Sequence, residues 1–391
     1  MPVSPSQILA ALDHKRQDFT QFDQNIASDL RRYQSCWRKL TAGPIADLQA
    51  KLPPSPAGAI PLEGFDAVTK GAISSGLRWD SREDSLVWVR QQLAGVTTFA
   101  ADGSQIFPSK DVSLPVALVQ VGWFENRHTE GGDYKKDILL DVLTPEDLKT
   151  ERVADPVDRQ VNIRRFQMEV QCLIDYMAAC TRPEDTLVFF DGSLVVTFAD
   201  AFDPESQSAY VKAMVALLAA SQNYQVPLVG YIDTSYARDL AGAMPHWCKE
   251  LRAVEAIHDA QILSVRPSML KWGDRIPLFQ CDRDGILSQY GDQRDQVTFT
   301  YLQTTRDRPP ARLELPKWIW EAGRIEQVMA WVQAEVIVGG GYPYVIETAD
   351  QTAVLQAGDR QLFYRIFQEW ADRQELNLQF SRKMVSKVRR R

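Results

Sequence analysis

The chain has 391 residues, 45% hydrophobic and 24% charged, a composition that excludes a disordered chain, a collagenous chain or a coiled-coil rod and leaves one large globular domain or two modest ones. Lys and Arg number 44 against 51 Asp and Glu, a net charge of −7, which argues against passive coating of nucleic acid but not against a site that gathers carboxylates for metal ions. No apolar run reaches membrane-spanning length and the N-terminus lacks a signal-peptide core, so no membrane association and a cytoplasmic location are expected. Cys36, Cys172, Cys180, Cys248 and Cys281 are scattered without a C-x-x-C pair, which predicts reduced thiols and argues against a structural zinc site.

The elements follow in chain order. Leu9, Leu12, Phe19, Phe22, Ile26, Leu30 and Tyr33 recur at three- and four-residue steps, which predicts helix over residues 5 to about 52. Pro53-Pro54-Ser55-Pro56-Ala57-Gly58 breaks it. Thr97 to Ala101 is a short strand stopping at Asp102-Gly103, and Val116 to Phe124 and Asp137 to Leu143 continue it as a meander. Asp158 to Cys180 is a helix with an apolar stripe from Ile163 to Met177. Leu187 to Phe190 is a buried strand ending at Asp191-Gly192-Ser193. A helix over Ser206 to Ser221 and a buried strand over Val226 to Ile232 follow. Further on, helix is expected over Trp247 to Ala260, a half-exposed strand over Gln296 to Thr305 and helix over Glu321 to Val338. A short strand over Tyr342 to Glu347 then leads into helices across Asp350 to Leu376. The order predicts a mixed α/β fold around one central sheet.

No P-loop, zincin helix or G-x-S-x-G elbow is present, and Gly339-Gly340-Gly341 follows a helix where a dinucleotide fingerprint would follow a strand. What remains is a set of acids at element ends. The tripeptide Asp-Gly-Ser follows two apolar strands, at Asp102 and at Asp191. A buried carboxylate is costly unless compensated, by a tight turn or by a bound cation. Glu169 lies on the flank of its helix stripe, either solvated or reaching toward a sheet edge. Asp350 stands where the late strand meets a helix, as an N-cap or as a fourth acid. If these converge, hard oxygen donors of this kind suit Mg²⁺ or Mn²⁺, and two such ions can clamp both oxygens of a phosphodiester displacement.

The first strand with Ala101-Asp102-Gly103-Ser104, the helix carrying Arg165 and Glu169, the strand Val188 to Leu194 with its Asp-Gly-Ser, and the segment Gly341-Tyr342-Pro343-Tyr344-Val345-Ile346-Glu347-Thr348-Ala349-Asp350 together resemble the NurA family of DNA-repair nucleases. The resemblance spans roughly Val96 to Phe367. It implies an RNase H-like mixed sheet flanked by helices, a catalytic metal held by Asp102, Glu169 and Asp191, and Tyr342 near the site orienting a phosphate. Eight residues after that tyrosine the family has a histidine assisting the metal; here Asp350 stands there, making the set wholly acidic. A lysine expected near Gly230 to Ser235 is also missing, and Asp233 reads as a turn residue. The resemblance further implies DNA as substrate, a homodimer and a HerA-type hexameric ATPase as partner, in keeping with the missing P-loop.

The domain plan expected is an N-terminal helical arm and linker over 1–90, the nuclease domain over 91–380 with an insertion over 236–320, and a basic tail over 381–391, where Arg382 to Arg391 carries six basic residues and no acid. The function expected is metal-dependent hydrolysis of DNA during end resection. A non-catalytic adaptor of the same fold and an actin-like phosphotransferase are the alternatives.

Overall fold

A computed structural model describes residues 4–41, 43–65, 71–149, 157–264, 270–379 and 381. The elements are α1 (Pro5–His14), α2 (Arg16–Leu40), α3 (Ile45–Gln49), β1 (Gly58–Pro61), α4 (Arg82–Leu93), β2 (Thr97–Ile106), β3 (Ala117–Asn126), β4 (Tyr134–Leu143), α5 (Val157–Ala178) and β5 (Thr186–Asp191). They continue with α6 (Pro204–Tyr224), β6 (Leu228–Ile232), α7 (Asp239–Trp247), α8 (Asp259–Leu263), β7 (Phe279–Asp282), β8 (Val297–Leu302), β9 (Ala311–Pro316), α9 (Lys317–Glu321), α10 (Ile325–Val338), α11 (Tyr344–Ala353) and α12 (Ala357–Arg373). None of the described helices is long and apolar enough to cross a membrane.

The chain divides into two compact units. The first comprises Met1–Arg78, Ile232–Asp284 and Thr298–Leu313, and the second Trp79–Tyr231, Gly285–Val297 and Glu314–Arg391. In the second, the strand order is β6-β5-β2-β3-β4. β2, β3 and β4 form the expected antiparallel meander, while β5 pairs with β2, and β6 with β5, in parallel. Helices α5 and α6 make the crossovers, as parallel pairing demands. This is the mixed sheet flanked by helices that was expected. Leu187, Val188, Phe189, Leu228 and Val229 are wholly buried, and Leu173 and Met177 of α5 with Met214 and Leu217 of α6 complete the core. Asp203 caps α6, its side chain accepting from the Ser206 N–H at 2.9 Å.

In the first unit, β1, β7 and β8 lie side by side. Trp37 of α2, Trp247 of α7 and Phe299 of β8 converge on the ring of Phe279. The long apolar stripe of α1 and α2 is only half used. Tyr33, Cys36, Trp37 and Leu40 are buried, while Leu9, Leu12, Phe19 and Phe22 stay exposed.

Several expectations need correction. β2 does not stop at Asp102 but runs to Ile106, because β3 keeps pairing with it after β5 has ended. Trp247 to Ala260 is not one helix: Pro245 falls in the last turn of α7, and α8 starts afresh at Asp259. β8 is buried on both faces rather than one. Its Thr300 hydroxyl is accommodated by donating to the Ile276 carbonyl at 2.7 Å. The helix expected over Glu321 to Val338 is broken between α9 and α10 at Gly323, whose φ is +70°. Tyr342 to Glu347 is not a strand. Pro343 stands at the N-cap of α11, and the β-prone Val345 and Ile346 are the buried face of that helix. Strands β1, β7 and β9 were not foreseen. Two of the five cysteines are not free thiols: Cys36 and Cys248, 212 residues apart, form a disulfide across a Cα–Cα distance of 6.2 Å. The basic run Arg382 to Arg391 lies outside the described residues.

Candidate functional site

β2 and β5 run in parallel register from Thr97 opposite Thr186 to Ala101 opposite Phe190. The next residue on each is an aspartate. Asp102 and Asp191 therefore stand level on adjacent strands, whose backbones are about 5 Å apart. Pairing between the two strands ends at that point, and the carboxyl ends of parallel strands are where open α/β sheets bind ligands.

Side chains alternate across β2. On one face Thr98 donates to Glu335 of α10 at 2.8 Å, Asp102 hydrogen-bonds to Asp350 of α11, and Ser104 accepts from the Leu355 N–H at 3.3 Å. On the other face Phe99 stacks on Tyr176 of α5, ring centres 3.7 Å apart, and Gly103 lies beside Arg165 of α5. The strand thus sits between two helical layers. One layer presents Glu169 and the other Asp350.

Two glycines permit these approaches. Gly122 of β3 is paired with Asp102. A Cβ there would meet the backbone N and Cα of Ala353 at 2.4 and 2.7 Å, so only glycine lets the end of α11 lie against the sheet. Gln120, two residues away, donates to the Ala353 carbonyl at 2.9 Å. A Cβ on Gly103 would meet Cγ of Arg165 at 2.6 Å, so the glycine of the first Asp-Gly-Ser serves the arginine's aliphatic stem.

The start of α11 is held by Glu335, which is 1% exposed. Its carboxylate accepts from the Val345 N–H at 3.0 Å and from Thr98, and lies 3.2 Å from His128 Nε2. Just before α11, the Tyr342 hydroxyl donates to Asp191 Oδ1 at 2.8 Å, and its ring meets Tyr231 of β6 edge-on. Beyond Asp191, the buried Glu314 of β9 accepts from the Ser193 hydroxyl at 2.8 Å and the Leu194 N–H at 2.7 Å. The turn that follows the second aspartate is thereby fixed.

Burial and the neighbouring acids raise two carboxyls of the cluster. Burial pushes Asp102 up to about 6; the Gly103 N–H opposes this, and the hydrogen bond to Asp350 and the charges of Asp191 and Asp350 add to it. Glu169 is 3% exposed. Burial pushes it up to about 8, against Arg165 and with help from the charges of Asp102 and Asp191. Arg165 Nη1 is 3.3 Å from Glu169 and 3.3 Å from the Gly103 carbonyl, and its Nε is buried with no hydrogen-bond partner.

Asp102, Glu169, Asp191, Asp350 and Tyr342, the five residues singled out from the sequence, are therefore brought to one end of the sheet. Asp350 corrects its expected position: it lies inside α11, on that helix's exposed side, and not at an N-cap. Asp233 falls in a bend after β6. Among the described residues, no three His, Cys, Asp or Glu side chains stand close enough as oriented here to ligate one ion. The fit to a divalent cation is therefore chemical. Four hard oxygen donors from four elements are held together against their mutual repulsion, with Arg165 beside Glu169. Sequence reasoning missed Glu314 and Glu335. Glu314 follows a polar-apolar alternation, Arg312-Leu313-Glu314-Leu315, that reads as a solvated strand face, and Glu335 sits in a helix with no visible charge partner.

Residues 96–355 match the family model of the NurA domain. No curated protein matches the chain in sequence. Among solved structures, a crystal structure of NurA with manganese is 10% identical and aligns over 71% of this chain and 94% of its own, with a TM-score of 0.39. The catalytic domain of human endonuclease V is 12% identical over 77% and 94%, with a TM-score of 0.33. NurA bound to dAMP and manganese is 8% identical over 67% and 85%, with a TM-score of 0.29. The family match takes in β2, α5, β5 and α11, and with 260 of 391 residues inside it, this chain belongs to the NurA domain family.

Proposed function

We propose that this chain is a divalent-metal-dependent deoxyribonuclease that hydrolyses DNA phosphodiester bonds, using Mn²⁺ or Mg²⁺, two ions in the full site, held by Asp102, Glu169, Asp191 and Asp350. The observation that carries this reading is the convergence of those acids from β2, α5, β5 and α11, with Arg165 beside Glu169. When bound, the ions would lower the pKa of the attacking water and neutralise charge on the leaving oxygen. The chain's own residues supply position. Tyr342 orients Asp191 through its hydroxyl and stands ready to orient a phosphate. Arg165 holds the Glu169 carboxylate, and Glu314 immobilises the turn after Asp191. Glu169 keeps a proton at neutral pH while no cation is present, so loading the site releases protons and strengthens as pH rises.

In this reading the enzyme resects DNA ends during double-strand break repair, as a homodimer beside a HerA-type hexameric ATPase. A chain of net charge −7 gains from a partner that supplies DNA affinity as well as movement. The test is cleavage of a labelled oligonucleotide with Mn²⁺, Mg²⁺ or EDTA, with and without the ATPase. Cleavage with either metal and none in EDTA is expected. Wild-type rates from Asp102→Ala or Asp191→Ala protein would end the proposal.

One observation favours a second reading. As oriented here, no three side chains form a ligating shell among the described residues, which suits a non-catalytic adaptor of the same fold. Such an adaptor would bind neither Mn²⁺ nor Mg²⁺.

A further inference from the structure

The first unit holds a cavity of about 240 Å³ whose walls include Asp233, Ser235, Tyr236, His258, Gln261 and Arg308. Its floor is rigid. Asp259, next to His258, is wholly buried and accepts from the N–H groups of Leu240 and Ala241 at 3.1 and 2.9 Å and from the Tyr301 hydroxyl at 3.2 Å. Ser235, 8% exposed, accepts from the Ala237 N–H at 3.2 Å. The rim is aromatic and cationic. Tyr236 leaves 72% of its surface in water, and its ring stands edge-on to His258 with centres 5.2 Å apart. Nδ1 of His258 is shielded from solvent and has no hydrogen-bond partner among the described residues. An imidazole nitrogen left unmatched in the wall of a polar cavity is a place where a ligand's donor or acceptor fits.

We infer that this cavity binds one nucleotide of a single DNA strand, with the base stacked on Tyr236 and the phosphate at Arg308. An exposed aromatic ring beside a cation is the arrangement that captures unpaired bases, since every base offers a π-face. The Asp233 carboxylate is out of place in a pocket for a bare phosphate, but it can accept from the exocyclic amine of a base, as an acid does toward cytosine. Guanidinium is the better phosphate partner of the two basic side chains because of its planar donor fork. The inference rests on DNA being the substrate. It adds a contact outside the carboxylate cluster, so strand binding and cleavage become separable.

The experiment uses the full chain in EDTA, where the cleavage proposed above cannot occur. Binding of a fluorescein-labelled single-stranded 12-mer is followed by anisotropy for wild type, Tyr236→Ala, Tyr236→Trp and Arg308→Ala. Tyr236→Ala should weaken binding about tenfold, with Tyr236→Trp restoring it. Arg308→Ala should weaken binding and reduce the slope of log affinity against log salt by about 0.7. Unchanged affinity in both alanine variants, alongside metal-dependent cleavage by the wild type, overturns this site and leaves the nuclease reading standing. Loss of binding in the variants of a chain that cleaves nothing supports the site and removes the nuclease reading. A cavity that takes an arginine-rich peptide, through Asp233 and Tyr236, and shows no Tyr236 dependence toward DNA also overturns it.

Discussion

The two units each gather charged side chains below or near the surface, and they treat them in opposite ways. In the first, Asp239 and Asp259 are buried with Arg283 and Arg312. Arg312, 1% exposed, lies 2.9 Å from Asp239, 3.8 Å from Asp259 and over the Phe299 ring at 4.0 Å. Two acids meet two guanidiniums. Burial would raise Asp239, but the charges of Arg283 and Arg312 outweigh it and hold the carboxyl below its ordinary value. Burial and the neighbouring Asp239 push Asp259 up to about 7. In the second unit Asp102, Glu169, Asp191 and Asp350 gather, Arg165 lies beside Glu169, and Asp191 and Asp350 remain open to solvent. A balanced, closed cluster holds a fold together. An open, acid-rich one is accessible to an incoming cation.

The sharpest way to break this contrast is to remove one acid from each end of the sheet's open pair. Asp102→Asn and Asp191→Asn should each lower DNA cleavage by about 10³-fold while far-ultraviolet circular dichroism stays unchanged. Loss of activity accompanied by unfolding would instead place the acids among the fold's supports. The reverse experiment is Arg312→Ala. It leaves Asp239 and Asp259 short of a partner, and urea denaturation should record a loss of about 3–5 kcal/mol.

The pH dependence of stability tests the open cluster next. The Glu169 carboxyl is raised from 4.5 to about 8 in the folded protein. Between those values the folded chain holds a proton that the unfolded chain has released, so in EDTA stability should fall as pH rises across that window. The loss is of the order of a few kcal/mol at most, and Glu169→Gln should flatten the slope measured by thermal unfolding. A wild-type melting temperature that climbs from pH 5 to 8 in EDTA would contradict the account. Ser193 and Leu194 donate to the same Glu314 oxygen, so Glu314→Gln keeps an acceptor for them but loses the charge, and roughly a tenfold fall in cleavage is expected, with Mn²⁺ affinity reduced in step. Tyr342→Phe removes the 2.8 Å hydrogen bond to Asp191, and a fall of up to about tenfold in rate is expected, with stability within roughly 1 kcal/mol of wild type.

Much of the second unit was legible in the sequence. Leu187 to Phe190 could be read because an apolar run between turn residues has few alternatives, and α5 because its stripe is periodic. The acids stood out because aspartate is a poor strand residue, and it recurred after two such strands. Their convergence was not legible, since it depends on the parallel register of β2 with β5 and on Gly122 admitting α11. Tyr342 to Glu347 misled because Tyr, Val and Ile favour strands locally, while Pro343 and packing against β2 and β3 decide for helix. The closed cluster of the first unit left little trace. Arg312 and Glu314 alternate with leucines as solvated residues do, and nothing in the local sequence marks them as buried. The Cys36–Cys248 disulfide joins positions 212 apart, a separation that spacing rules cannot pair.

The central claim is that the open cluster captures divalent cations. The direct measurement is calorimetric titration of Mn²⁺ into the full chain at pH 8, beside Asp102→Asn and Asp191→Asn proteins. The account predicts saturable binding of one or two ions by the wild type, proton release on binding, and an affinity at least about tenfold weaker in each variant. Equal binding by all three proteins, or none by the wild type at millimolar Mn²⁺, would contradict it.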